Sequence, residues 1–256
     1  MSNAGKARAD GGARCAAVSA GAVVVLALVL AGCAGEVADA EPSAQSTPAP
    51  VGTVSTPGDS AAREALQYAA EHSVAHLYLR HQANLFEAGL DGGMHVGESS
   101  VDEIDGGYEM CDVIDECNKF TGFVIDDGLV TDLRVNGQDP GPRMAVGDGT
   151  TVESRGVTAT FLTAYRSIAG ESLFVAIELS TGEVNAELYV YSATYRAPDG
   201  RQRQAADVLG PFEVGAQSTA TVAMAFPAAE PGGTVTLEGI VDDDYDKTVE
   251  LVIPVG

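Results

Sequence analysis

Leu173-Phe174-Val175-Ala176-Ile177-Glu178-Leu179 is the stretch on which the fold turns. Leu173, Val175, Ile177 and Leu179 recur at every second position, which is the period of a strand with one buried face. Just upstream, residues 157–165 repeat the pattern, with Val157, Ala159, Phe161, Thr163 and Tyr165 expected on one side. Downstream, residues 186–195, 219–226, 234–241 and 248–255 read as further strands. Turns such as Pro198-Asp199-Gly200 and Pro231-Gly232-Gly233 separate them. Many short alternating strands within about a hundred residues point to a mainly β chain built as an antiparallel sandwich, not a βαβ fold.

Outward from that block, residues 120–125, the turn Asp126-Asp127-Gly128 and residues 129–135 form a hairpin candidate that Asn136-Gly137 and Pro140-Gly141-Pro142 close. Residues 89–118 are rich in glycine and carboxylates and hold few apolar side chains to fold on their own. Residues 60–88 read as a helix, with Ser60 as cap, Glu64 in the first turn and Gly89 after the last. Leu66, Ala70, Val74, Leu77 and Leu85 make one stripe; Tyr68, Ala75, Leu79 and Phe86 make another on the opposite side. A helix apolar on two sides is either sandwiched in a core or offers a face to a partner, for which Tyr68, Leu79 and Phe86 are the candidates.

The last block, 150–256, resembles the small immunoglobulin-like sandwich domains attached to actinobacterial and other Gram-positive lipoproteins. The resemblance lies in the strand at 157–165, the strand at 173–179, the turn in Tyr195-Arg196-Ala197-Pro198-Asp199-Gly200-Arg201, and Val214-Gly215-Ala216-Gln217-Ser218 before a strand ending in Phe226-Pro227. The chain departs from the family pattern where Val214-Gly215 replaces the usual Pro-Gly and where the expected asparagine comes late, at Asn185. It lacks tryptophan and an inter-sheet cysteine pair, so it is not an antibody-type domain. The resemblance covers under half the chain. It implies an extracytoplasmic module without a shared enzymatic activity, and a fold by itself supplies no function.

The N-terminus supplies an address. Lys6, Arg8 and Arg14 precede an uncharged apolar run over 16–31. Leu30-Ala31-Gly32-Cys33 resembles a bacterial lipobox, which implies cleavage between Gly32 and Cys33 and a diacylglyceryl thioether on Cys33. The rival, a membrane-spanning anchor, needs about 20 apolar residues to cross roughly 30 Å of hydrocarbon, more than this run offers. Two acyl chains suffice for stable anchoring. The expected location is therefore the extracytoplasmic face of the cell membrane. Residues 34–59, with Pro42, Pro48, Pro50 and Pro57 among Ser, Thr and Ala, read as a disordered tether spanning roughly 28 Å as a coil. The chain divides into a signal segment 1–32, lipidated cysteine and tether 33–59, helix and acidic loop 60–118, hairpin 119–149 and sandwich 150–256.

Of four cysteines, Cys15 falls in the signal segment and Cys33 is the lipid site. Cys111 and Cys117 remain, a pair that outside the cytoplasm reads as one disulfide. A two-thiolate metal site is the alternative; a calcium-binding growth-factor-like repeat would need six cysteines and is excluded.

Charge narrows the partners. The chain carries 37 acidic and 14 basic residues, a formal net charge of −23. Beyond the signal segment only Lys119 and Lys247 are lysines. Nucleic-acid binding needs the opposite balance, and anionic headgroups would repel the folded part. The expected partners are the membrane, through the lipid, and an envelope protein or glycan; no nucleic acid and no cofactor is expected.

His72 and His76, one helical turn apart on the expected helix, have a spacing that zinc ligands use, though no metalloprotease motif surrounds them. Asp242, Asp244 and Asp246 alternate in the densest carboxylate run and offer a calcium alternative to a plain acidic hairpin tip. Tyr189, Tyr191 and Tyr195 share a face of the expected strand and make either a partner patch or ordinary packing. No nucleophile elbow, phosphate loop or dinucleotide fingerprint is present; a carboxylate-based hydrolase is the remaining enzymatic alternative. The sequence thus favours a non-catalytic binding or structural module of the cell envelope, with a ligand- or metal-binding lipoprotein that delivers cargo as the second reading.

Overall fold

Two antiparallel sheets face each other across the largest core, and a helix with a third sheet packs on the outside of one of them. The structure, a computed structural model, describes residues 63, 65–94, 100–111 and 117–256. Gly32, Cys33, the tether, Ser60 and Glu64 lie outside the described residues.

The helix is α1 (Val74–Asp91). A four-stranded meander follows: β1 (Ser100–Ile104), β2 (Gly107–Cys111), β3 (Cys117–Asp126) and β4 (Leu129–Val135). Next come β5 (Met144–Val146), β6 (Thr151–Ser154), β7 (Val157–Arg166) and β8 (Leu173–Thr181). They are followed by β9 (Ala186–Leu188), β10 (Thr194–Arg196), β11 (Gln202–Gln204), β12 (Asp207–Leu209) and β13 (Glu213–Val214). The last three are β14 (Thr219–Phe226), β15 (Thr234–Val241) and β16 (Asp244–Pro254). One facing sheet runs β12-β14-β8-β7-β5, with β6 also on β7; we term it the helix-side sheet. The other runs β11-β10-β15-β9-β13, with β16 on the far side of β15; it is the open sheet.

Alternation builds the core between them. Leu173, Val175, Ile177 and Leu179 are fully buried there, opposite Leu188, Tyr195, Val235, Leu237 and Leu251 of the open sheet. Burying such a side chain contributes about 1.5–3 kcal/mol. In β7 the alternation breaks. A bulge leaves Leu162 unpaired between Phe161↔Ile177 and Thr163↔Ala176. One extra residue exchanges the faces, so Val157, Ala159 and Phe161 enter the inter-sheet core while Thr163 and Tyr165 turn toward the helix. The expectation that all five share one side holds only as far as the bulge.

The helix expected over 60–88 is interrupted: Arg63 and Ala65 are helical, but the regular helix resumes only at Val74. Residues 66–68 form a single 3-10 turn, Ala69 is extended and bridges Val130 of β4, and the Ala70 amide donates to the Val130 carbonyl. His72 adopts φ 63°, a region open to His at some cost. Ser73 is then the true N-cap, its hydroxyl accepting from the His76 amide at 3.1 Å. A tertiary strand-like contact thus takes the backbone groups that a continuous helix would have used. At the other end Gly92 and Gly93 (φ 76°) terminate α1.

As the two-sided pattern suggests, α1 is sandwiched. Ala75, Tyr78, Leu79 and Ala83 pack with Met110, Phe120, Val130, Leu133 and Val135 of the meander. Leu85 and Ala88 pack on Ala176 and Ala223 of the helix-side sheet. The small side chains there let the backbones approach, and the Asp91 carboxylate accepts from the Thr221 amide of β14 at 2.7 Å.

The region 89–118 is not a bare acidic loop: β1 and β2 form a hairpin with Gly106 at φ 72° in its turn, and β2 pairs with β3. The border drawn between 118 and 119 therefore runs through β3. Asp126-Asp127-Gly128 makes the expected tight turn, with Asp127 at φ 49° and Gly128 at φ 80°, the twist that joins right-handed strands. Among the described residues no helix is long and apolar enough to cross a membrane.

Candidate functional site

The structure separates several residues that sequence spacing had grouped. His72 precedes the cap of α1 and His76 follows it, so the one-turn spacing on a continuous helix does not exist. Burial, then Arg80, pushes His76 below its ordinary pKa. Asp242 and Asp244 both contact Lys247, at 3.6 and 3.7 Å, and the Asp244 carboxylate also accepts from the Asp246 amide at 3.0 Å. Among the described residues no group of three or more His, Cys, Asp or Glu side chains is placed to hold a metal ion. Cys111 and Cys117 are disulfide-bonded and sit directly opposite each other on β2 and β3.

The helix candidates divide in the same way. Leu79 is 1% exposed in the meander core and unavailable to a partner, whereas Tyr68 and Phe86 are half-buried. The three tyrosines do not share a strand. After Leu188 the chain leaves β15, makes a 3-10 turn over Val190–Ser192 and rejoins it at Thr194. Tyr195 therefore points into the inter-sheet core, donating to the Glu230 carbonyl and accepting from the Gly233 amide at 2.8 Å. Tyr191 remains exposed and packs against exposed Phe212, ring centroids 5.5 Å apart.

The most perturbed groups belong to packing. His81, fully buried, lies 3.0 Å from Thr163 Oγ1 through Nδ1, and Asn84 Nδ2 donates to the same hydroxyl at 2.9 Å. Burial lowers the His81 pKa to about 3. Burial raises Tyr78 well above the usual phenol range and pushes Tyr165 up to about 12, and the Tyr78 and Tyr165 rings meet edge to face at 5.5 Å. These groups fasten α1 to the meander and the helix-side sheet.

What remains exposed and chemically distinctive is the outer face of the open sheet. Val235, Leu237 and Val241 of β15 face the core, so Glu238 and Ile240 point outward by the period of the strand. The register then sets two pairs of carboxylates directly across strands on that face, Glu213↔Glu187 and Glu238↔Glu250. Like charges directly opposite destabilise a sheet by roughly 0.2–1 kcal/mol. None of the four has a salt bridge among the described residues. Tyr189, whose amide donates to the Glu238 carbonyl, lies in the same row. Desolvation, then Glu187 and Tyr245, raises its pKa. Tyr245 is 77% exposed. Sequence reading missed these glutamates because which residues stand opposite is a property of register; the available signal was Glu238 and Glu250, each flanked by core-facing neighbours.

No family model and no curated protein matches the chain. Among solved structures, a functionally unknown protein from Listeria monocytogenes EGD-e is similar at a TM-score of 0.30 and 8% identity, over 43% of this chain and 83% of that one. Likeness at that level carries no argument about fold or function.

Proposed function

We propose that this chain is a lipid-anchored, extracytoplasmic, non-catalytic binding module of the cell envelope. In this reading Cys33 carries the diacylglyceryl anchor, the tether holds the folded part away from the bilayer, and the two facing sheets form an immunoglobulin-like sandwich. The antiparallel pairing and the crossing of the chain from β8 to β9 of the opposite sheet support that architecture. The observation that carries the binding role is an asymmetry. The helix-side sheet is covered by α1, while the open sheet presents unpaired carboxylates and exposed aromatic rings. A face that costs stability and faces solvent is a reasonable place for selection to have kept a partner surface.

The Cys111–Cys117 disulfide supports the address, because such bonds persist outside the reducing cytoplasm. The perturbed groups support the non-catalytic reading: His81, Tyr78 and Tyr165 are buried between elements, and burial accounts for their shifts. The test is thiol labelling on intact cells. After mild reduction, a membrane-impermeant maleimide should modify Cys111 and Cys117; labelling only after lysis contradicts the proposed location.

A further inference from the structure

We propose that the outer face of the open sheet docks a basic polypeptide segment, one that presents lysine or arginine side chains along an extended or helical stretch. This deepens, and rests on, the reading of the chain as a binding module. Charge complementarity selects the partner, on a face that none of the described elements covers. Glu213↔Glu187 and Glu238↔Glu250 set four carboxylates in two cross-strand pairs. Among the described residues the cations near this face do not reach the four glutamates: Lys247 contacts Asp242 and Asp244, Arg155 Nε donates to the Thr248 carbonyl at 2.8 Å, and Arg196, outward-facing on β10, stands across from Thr234, four residues along β15 from Glu238. The four glutamates are therefore left for a cation from outside.

Aromatic rings accompany the charge. Tyr189 stands in the row of Glu238 and Glu250, and exposed Tyr245 belongs to β16 of the same sheet. A ring next to a carboxylate suits an ammonium or guanidinium, which pairs with the charge and lies over the ring face. A second copy of this chain, at a net charge of −23, has the wrong sign for the face. Anionic lipid and nucleic acid are excluded by the same sign. A basic partner would be steered by the field of the whole acidic chain and held by the two glutamate pairs.

The experiment uses the full chain in non-ionic detergent and a fluorescein-labelled peptide of alternating lysine and alanine, followed by fluorescence anisotropy at physiological ionic strength. Glu238→Gln with Glu250→Gln should weaken peptide binding at least 10-fold. Asp126→Asn with Asp127→Asn, the same change of charge at the meander hairpin, should alter it less than 2-fold. The glutamine pair should also hold or raise the melting temperature, because the repulsion is relieved. If that variant melts early, Glu187→Gln with Glu213→Gln makes the same comparison. Absence of saturable binding, equal losses in the face and control variants, or self-association of the wild type through this face would overturn the proposal. A chain that fails to bind the peptide yet is held at membranes through Cys33 loses the partner assignment and keeps the anchor; the reverse result loses only the anchor.

Discussion

His81 should make the protein acid-sensitive in a window where its carboxylates are still ionised. In the folded state its ring is completely buried between α1, Thr163 and Tyr165, and its pKa is lowered from 6.5 to about 3. The unfolded chain binds a proton near 6.5, so between pH 6.5 and 3 the unfolded state holds more protons on this residue. Stability is therefore fully present above pH 6.5 and is lost as the pH falls toward the folded value, at about 1.4 kcal/mol per unit. At pH 5 the loss is about 2 kcal/mol, and it is set by the unfolded pKa because the folded group has not begun to titrate. The perturbation is His81→Leu, which removes the titration and keeps an apolar side chain in the site. Urea unfolding, followed by circular dichroism at pH 7.5 and pH 5.0, gives the free energies by linear extrapolation. The wild type should lose about 2 kcal/mol more than the variant across that interval. His76, whose pKa is also lowered, is present in both proteins and cancels. Equal losses in the two proteins would refute the burial argument.

Three further outcomes follow from single contacts. The disulfide closes a loop of sequence separation 6, so reduction should cost about 2 kcal/mol and lower Tm by several degrees in the wild type. Adding reductant to Cys111→Ser with Cys117→Ser should change nothing. Tyr195→Phe keeps the ring in the core but strips the Gly233 amide and the Glu230 carbonyl of their partner, a cost of about 1–3 kcal/mol by chemical denaturation. Ala223→Leu thickens the seam where α1 meets the helix-side sheet and should cost about 1–3 kcal/mol by overpacking, with loss of amide protection in α1 measured by hydrogen exchange.

Much of the core was legible because strand period is a local property. Leu173, Val175, Ile177 and Leu179 alternate in sequence and all enter the inter-sheet core. The Asp126-Asp127-Gly128 turn announced itself through residues that tolerate positive φ. What escaped depends on partners distant in sequence. The bulge at Leu162 turns Thr163 and Tyr165 to the other face, yet nothing within residues 157–165 marks it. Residues 60–73 have helical periodicity, but Val130, some sixty positions away, takes the Ala70 amide and ends the pattern. Tyr189, Tyr191 and Tyr195 alternate as in one strand until the excursion between Leu188 and Thr194 buries one and exposes another. The glutamate pairs exist only through register. Local chemistry therefore reached the core, and the candidate surface needed tertiary pairing.

Membrane fractionation of wild type and Cys33→Ala, with the intact mass of the mature N-terminus read from the same cells, tests whether Cys33 anchors a folded module outside the cytoplasm. The wild-type chain should sediment with membranes and begin at a diacylglyceryl-modified Cys33, and the Cys33→Ala chain should no longer be retained there. Retention of Cys33→Ala at the membrane, or a wild-type chain lacking lipid at Cys33, would contradict it.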